Sequence, residues 1–433
     1  MKGKKIENIE SFQEAKEKLN ALKIIEKGVN FFSFFGIKKK DVSEVLSQLT
    51  DMEKEFNLIS KTPDKFNNFF SQKGWIAHES MNSELMVSSV KLAESGRVEE
   101  AEQKLTDYYS SNEIEWHVQI LNTIEAFSIR SDFFQFAYGD TISGRYYSAI
   151  PILLMMIDGV VNDINKDKGF FAERAALEAW DSIAAHSTGL LFLKDLFNSG
   201  RNKTTSEDIF LPYRNGILHG RDLGYANKIV LAKCWAAVFA VRDWAAALEN
   251  NNKRTNIDPE KSFIETFEDL ANHNEKSKKL DDKLKKWKSR NLEIGADVPR
   301  KGKSEDYKDF SPEQEAVRFV EYWKNKNYGK IATQVKRFKE EPLNIKKEAG
   351  RIRRIFEDKN IIDFEIVKIV DCAPVISEVT MNISVLFDDK TFNKEITIRL
   401  IFEDEGGIVI NGDNHGKWEF LEFLFFQIET IGF

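Results

Sequence analysis

Near Phe364 the apolar residues of this chain stop recurring at helical spacing and begin to alternate, so one sequence must hold a helical part followed by a sheet part. Beyond that point Val379, Met381, Ile383, Val385 and Phe387 alternate with polar neighbours, as do Ile396, Ile398, Leu400 and Phe402. Each set lines one face of a strand. The short polar connection from Asp388 to Thr391 predicts an antiparallel hairpin, and Gly406-Gly407 predicts a turn into a further strand toward Trp418 and Phe420. Ser311-Pro312-Glu313-Gln314 predicts the helix that opens this part: an N-cap, a proline at the first helical position and a capping-box partner.

From about residue 8 to 110, charged and apolar residues alternate at helical spacing, with breaks expected near Gly36, Lys61 to Pro63 and Gly96. The stretch Ser88 to Leu105 resembles one helix-turn-helix of a tetratricopeptide-like repeat, but no second copy follows at a fixed period, so one helical hairpin is expected. Between 113 and 252 the helices become more apolar. Trp116, Ile120, Ile124 and Phe127 form one stripe, and Tyr146, Ile150, Leu153, Leu154, Ile157, Val161 and Ile164 form another, with Pro151 starting or kinking its helix. From Tyr225 to Glu249 two neighbouring faces are apolar, which predicts a helix central to a bundle or buried again by a second subunit. Residues 251–310 are rich in Asn and Lys, with one helix expected over 262–288. The expected organisation is multidomain and mainly α: a helical N-terminal region (1–112), a helical bundle (113–252) and a charged linker with one helix (253–310). An α+β domain with a curved antiparallel sheet (311–433) completes it.

With 433 residues the chain can bury two or three cores. The longest apolar run, Ala149 to Ile157, ends at Asp158 and is short of the roughly 20 residues that span a bilayer, so no membrane span is expected. The opening MKGKKIENIE meets charges where a secretory signal has an apolar core, and the expected location is cytoplasmic. Only Cys234 and Cys372 occur, so neither a disulfide framework nor a cysteine-based zinc site is expected. A net charge of −7 disfavours coating of long nucleic acid, so any nucleic-acid site must be local. The segment His273 to Lys303 concentrates nine Lys and two Arg against five acids, read as a solvated helix and linker before a binding arm.

The string YRNGILHGRD at 213–222 is where residues suggest chemistry rather than folding. Arg214 is a fixed cation that can fork onto phosphate oxygens, Asn215 a neutral polar anchor, and His219 a proton carrier near neutral pH. The set suits metal-independent cleavage of a phosphodiester, and neither cofactor nor metal is expected. Tyr213 and Arg221 flank it as candidate substrate contacts by base stacking and phosphate binding, or as incidental surface residues. Residues five apart on an ideal helix lie about 140° and roughly 7.5 Å apart, so Pro212 and Gly216 are expected to make the motif straddle a helix start. Asp158 and Asp163 either hold Arg214 or His219, or face solvent or cap. His186, in an apolar helix WDSIAAHSTGL, is expected in the core, and His415 in a loop.

The string Arg214 to His219 resembles the Arg-x-x-x-x-His motif of HEPN domains, with Asn215 at their usual polar position and the helical region 113–252 of the right kind and size. The resemblance implies a metal-independent ribonuclease of a defence or toxin system, cutting RNA at a homodimer cleft, or else a catalytically silent binding or dimerisation module. Residues 311–433 resemble the cone fold of nuclear transport factor and SnoaL-like proteins: an initial helix with Tyr322-Trp323, then Asn327-Tyr328-Gly329, a second helix, and a curved sheet ending in Gly416-Lys417-Trp418. Such domains act as enzymes, ligand pockets or dimerisation parts, which implies a ligand or protein partner there.

Overall fold

The computed structural model describes residues 5–14, 16–17, 56–58, 60–166, 168–173, 175–179, 182–199, 203–253, 284–337, 343–404, 407–408 and 415–432. The expected break at Gly36, most of the expected helix at 262–288, and Gly406 lie outside these residues. The chain divides into two compact units, 1–257 and 258–433, the first helical and the second built on an antiparallel sheet. The 112/113 boundary expected from composition falls inside the first unit.

In the first unit a helical stretch at 60–70 runs through Lys61 to Pro63, where a break was expected. Helices α1 (Ser83–Glu94) and α2 (Val98–Tyr109) form the expected hairpin, turned by Gly96 at φ +80. The stripe from Trp116 to Phe127 is not one helix. It is broken into short pieces that include α3 (Glu115–Ile120) and α4 (Glu125–Ser128), with Ile124 extended between them. Asn122 and Thr123 are poor helix residues, and the Thr123 hydroxyl donates to the Ile120 carbonyl at 2.7 Å, which favours the break. Trp116 therefore turns outward at 43% exposure, while Ile124 and Phe127 are buried.

Helices α5 (Ser131–Ile142) and α6 (Tyr146–Asn165) pack as an antiparallel pair. Pro151 lies inside α6 and has no N–H for the Tyr147 carbonyl four residues back. The Tyr225 hydroxyl donates to that carbonyl at 2.9 Å and replaces the missing bond. Helix α6 is long and apolar enough to cross a membrane by length and composition, yet Ile150, Leu153, Leu154, Ile157, Val160 and Val161 are buried inside the unit. After α7 (Leu190–Phe197) come strand β1 (Thr205–Asp208), α8 (Arg214–Leu218), strand β2 (Asp222–Gly224) and the long helix α9 (Lys228–Lys253). From Val230 to Val241 nearly every side chain of α9 is buried, so it is the central helix that its two apolar faces predict. Alanines 232, 236, 237 and 240 let α2, α6 and α7 approach it, while Trp235, Phe239 and Trp244 fill the space between. His186 corrects an expectation: Ser182 to Gly189 form turns rather than a helix, and its half-buried ring bonds the Thr188 hydroxyl at 3.0 Å. Trp180 and Asp181 of that segment lie outside the described residues.

In the second unit, α10 (Pro312–Lys324) starts as its sequence predicts, with the Ser311 side chain accepting from Gln314 N–H. The Gln314 amide, however, donates to Ser304 O and Asp309 Oδ1 and so holds the lead-in loop. Helices α11 (Tyr328–Gln334), capped by Asn327, and α12 (Ile345–Phe356) follow. Strands β3 (Asn360–Ala373), β4 (Ile376–Phe387) and β5 (Lys390–Asp404) pair in sequence; the short β6 (Gly407–Ile408) and β7 (Lys417–Phe420) both pair with β5, before α13 (Phe423–Glu429). The expected hairpin is β4–β5, closed by Asp388 and Asp389, both at positive φ as a two-residue type I′ turn requires. Three register shifts in β3 bend that edge of the sheet. Its apolar face, from Val379, Met381 and Ile383 to Ile398, Leu400 and Phe402, packs against Phe319, Trp323, Phe356 and Phe425. Part of the expected linker belongs to this unit: Arg290 pairs with Asp371 at 2.7 Å and Glu313 at 3.1 Å, Arg300 O accepts from Ile366 N–H, and Val298 and Tyr307 enter the core.

Candidate functional site

The 213–222 string folds as a helix of barely more than one turn held at both ends. Pro212 lies two residues before it, Tyr213 is the N-cap and Arg214 the first helical residue. Its end is a Schellman motif: Gly220 N–H bonds Ile217 O at 3.1 Å, Arg221 N–H bonds Gly216 O at 2.7 Å, and Gly220 sits at φ +65. His219 is the C-cap. Strands β1 and β2 pair in parallel, and Asn227 donates to Ile209 O while accepting from Val230 N–H, so the two ends of the loop are closed together at the start of α9. Lys233 anchors the approach to the motif. It is 1% exposed, donates to Phe210 O at 2.7 Å and pairs with Glu102 at 2.8 Å. Burial lowers its pKa against the opposing effect of Glu102.

Arg214 is half-buried and its guanidinium is brought against Asn215 and Phe171. Its Nη1 donates to Asn215 Oδ1 at 2.8 Å, and its Cζ stands 5.4 Å from the Phe171 ring centre. Its Nε is buried with no hydrogen-bond partner, and no carboxylate pairs with it among the described residues. Asn215 in turn donates to Asn198 Oδ1 at 3.1 Å. His219 is exposed at the other end of α8, and its ring makes no hydrogen bond to a described residue. Arg214 and Asn215 thus come together, whereas Arg214 opens α8 and His219 caps its other end. Tyr213 is half-buried and Arg221 exposed. Neither Asp158 nor Asp163 pairs with Arg214 or His219: Asp158 accepts from Phe171 N–H at 3.1 Å, and Asp163 pairs with Arg130 at 2.7 Å. The parts played by Phe171 and Asn198 had no signal in the sequence, because they lie 43 and 16 positions before Arg214 in other elements.

A second polar cluster, also without a sequence signal beyond a lone acid in an apolar helix, is buried around Asp243. His78 is fully buried, with Nδ1 2.9 Å from Asp243 Oδ2 and Nε2 2.9 Å from the Tyr109 hydroxyl. Ser80 donates to the same carboxylate through its N–H and its hydroxyl, and Arg242 reaches its other oxygen at 3.2 Å. Burial raises the Asp243 pKa, but the bonds from His78 and Ser80 outweigh it and hold it below the ordinary range. With both imidazole nitrogens occupied and no exposure, His78 has no opening to a substrate, and the cluster ties the 78–80 segment to α9.

Among the described residues no group of three or more His, Cys, Asp and Glu side chains is placed to hold a metal ion. Cys234 is buried and Cys372 exposed, and neither forms a disulfide; burial pushes the Cys372 thiol up to about 11, so it is not a thiolate at neutral pH. His415 sits in a bend beside Gly416, in agreement with a loop position. No protein-family model matches the chain, and neither a curated protein nor a solved structure matches it.

Proposed function

We propose that the first unit is a HEPN-like, metal-independent endoribonuclease that acts as a cytoplasmic homodimer in a defence or toxin setting. The observation that carries the reading is the Arg214 guanidinium, held in place by an amide and a ring with no carboxylate partner among the described residues, at the start of a helix that ends in an exposed imidazole. Folded proteins usually neutralise a half-buried cation, so its charge is available to a phosphate. In this mechanism an imidazole takes the proton of the ribose 2′-hydroxyl, whose oxygen attacks the adjacent phosphorus. The P–O5′ bond breaks, the 5′-oxygen receives a proton from an acid, and the products are a 2′,3′-cyclic phosphate and a 5′-hydroxyl. Arg214 stabilises the crowded phosphorane.

The separation of Arg214 and His219 along α8 favours a site completed across two protomers, each lending one group to the other. Large apolar side chains are exposed on the elements around the motif: Tyr147 and Met155 on α6, Leu218 on α8 and Leu223 in β2. The same exposed side chains also favour a second reading, a non-catalytic assembly protein that dimerises through this unit. In either reading the second unit, taken as a nuclear transport factor or SnoaL-like cone, supplies a ligand or partner site. The separating experiment incubates RNA with EDTA and the wild type, Arg214→Ala or His219→Ala. Loss of about a hundredfold or more in cleavage rate in both variants is the expected result. Equal, negligible cleavage by all three proteins rejects the enzyme and leaves the assembly protein.

A further inference from the structure

Four residues outside the HEPN-like string converge on Arg214 through an unbroken chain of contacts. The Phe171 ring lies beneath the guanidinium, and both backbone groups of Phe171 are taken: its N–H by Asp158 Oδ1 at 3.1 Å and its carbonyl by Asn198 Nδ2 at 3.4 Å. Gly169 permits this approach, because a Cβ there would collide with the Asp158 carboxylate. Asn198, the C-cap of α7, accepts from Asn215 Nδ2 on its side-chain oxygen at 3.1 Å and its carbonyl at 3.4 Å. Those two acceptors leave the Asn215 amide a single orientation, with its oxygen toward Arg214.

We propose that Asn198, Phe171, Asp158 and Gly169 are positioning residues that present the Arg214 guanidinium to a phosphate oxygen, and that Asn215 works on Arg214 rather than on the substrate. The inference deepens the proposed ribonuclease reading and names the seat of its phosphate. Asp158, on α6, enters this chain of contacts through the Phe171 backbone N–H. A carboxylate at position 215 would lose both donations to Asn198 and neutralise the guanidinium, whereas the neutral amide leaves that charge to a phosphate.

That contrast is the test. The full chain is titrated with a short 2′-O-methyl oligoribonucleotide, which lacks the attacking hydroxyl and so reports binding whether or not the protein cuts RNA. Asn215→Asp, with its folding checked by a retained cooperative melting transition, is expected to weaken binding by about tenfold and to reduce the slope of log K against log salt by about 0.7, the loss of one phosphate contact. Asn198→Ala is expected to weaken binding similarly and to broaden or average the Arg214 Nε–H resonance, identified by its loss in Arg214→Lys. Equal binding by the wild type and Asn215→Asp overturns the proposal, as does an unchanged Arg214 resonance in Asn198→Ala. Binding that is sensitive to these substitutions in a protein that cleaves no RNA sinks the nuclease and keeps the phosphate seat.

Discussion

At the scale of single residues, the first unit is most sensitive to acid at its buried cluster. Burial depresses the His117 pKa below its ordinary 6.5, against the opposing bond to the Ser80 carbonyl. The unfolded chain therefore binds this proton more readily, and the stability is present above that value and lost as pH falls below it. Asp243 is held below its ordinary 3.8, so its contribution is present above that value and lost as pH falls through the lower folded pKa. Glu79, raised by burial and by Asp243, acts in the opposite sense, so the acid loss of melting temperature that begins at about pH 6.5 is expected to steepen when Glu79→Gln removes its titration, and to steepen again below about pH 4. A melting temperature that stays flat from neutral to strongly acid pH contradicts it. Asp243→Ala strips His78, Ser80 and Arg242 of their shared acceptor, and is expected to cost about 3 to 5 kcal/mol in denaturant unfolding. Beyond a lone acid in an apolar helix, none of this was legible in the sequence, because His78 and Asp243 are 165 positions apart.

Among the elements, α6 depends on a residue of the turn between β2 and α9 for a bond its own sequence denies it. The Tyr225 hydroxyl serves the carbonyl that Pro151 leaves open. Tyr225→Phe is expected to destabilise the first unit by about 1 kcal/mol, and to cost close to nothing in a Pro151→Ala background, where the restored N–H takes the Tyr147 carbonyl. A double-mutant cycle by urea unfolding reads the difference; equal costs in both backgrounds reject the substitution of one bond for the other. The helices α1, α2, α6 and α9 and the β4–β5 hairpin were legible because period and turn residues are local signals. The 116–127 stripe misled because Asn122 and Thr123 interrupt a pattern that apolar spacing alone carries through.

On the scale of the whole molecule, the lead-in before α10 decides where the second unit begins. Arg290 accounts for bonds to both Asp371 and Glu313, and the residues from 290 to 307 add Val298, Tyr307 and a backbone bond to β3. A fragment of residues 286–433 is expected to unfold cooperatively on its own, whereas one beginning at 311 loses those partners and about 3 kcal/mol or more. Calorimetry of the two fragments checks this, and equal melting temperatures reject it. Composition read residues 253–310 as a linker because lysine and asparagine are abundant there, and abundance does not reveal that one arginine finds two acids far along the chain. Sequence alone determined the helical part, the sheet part, the central helix and the motif that suggests phosphate chemistry, since each is written in spacings of a few residues. Only tertiary structure decided that Arg214 meets Phe171 and that Asn215 meets Asn198, because those relations depend on segments brought together by packing, which no local period encodes.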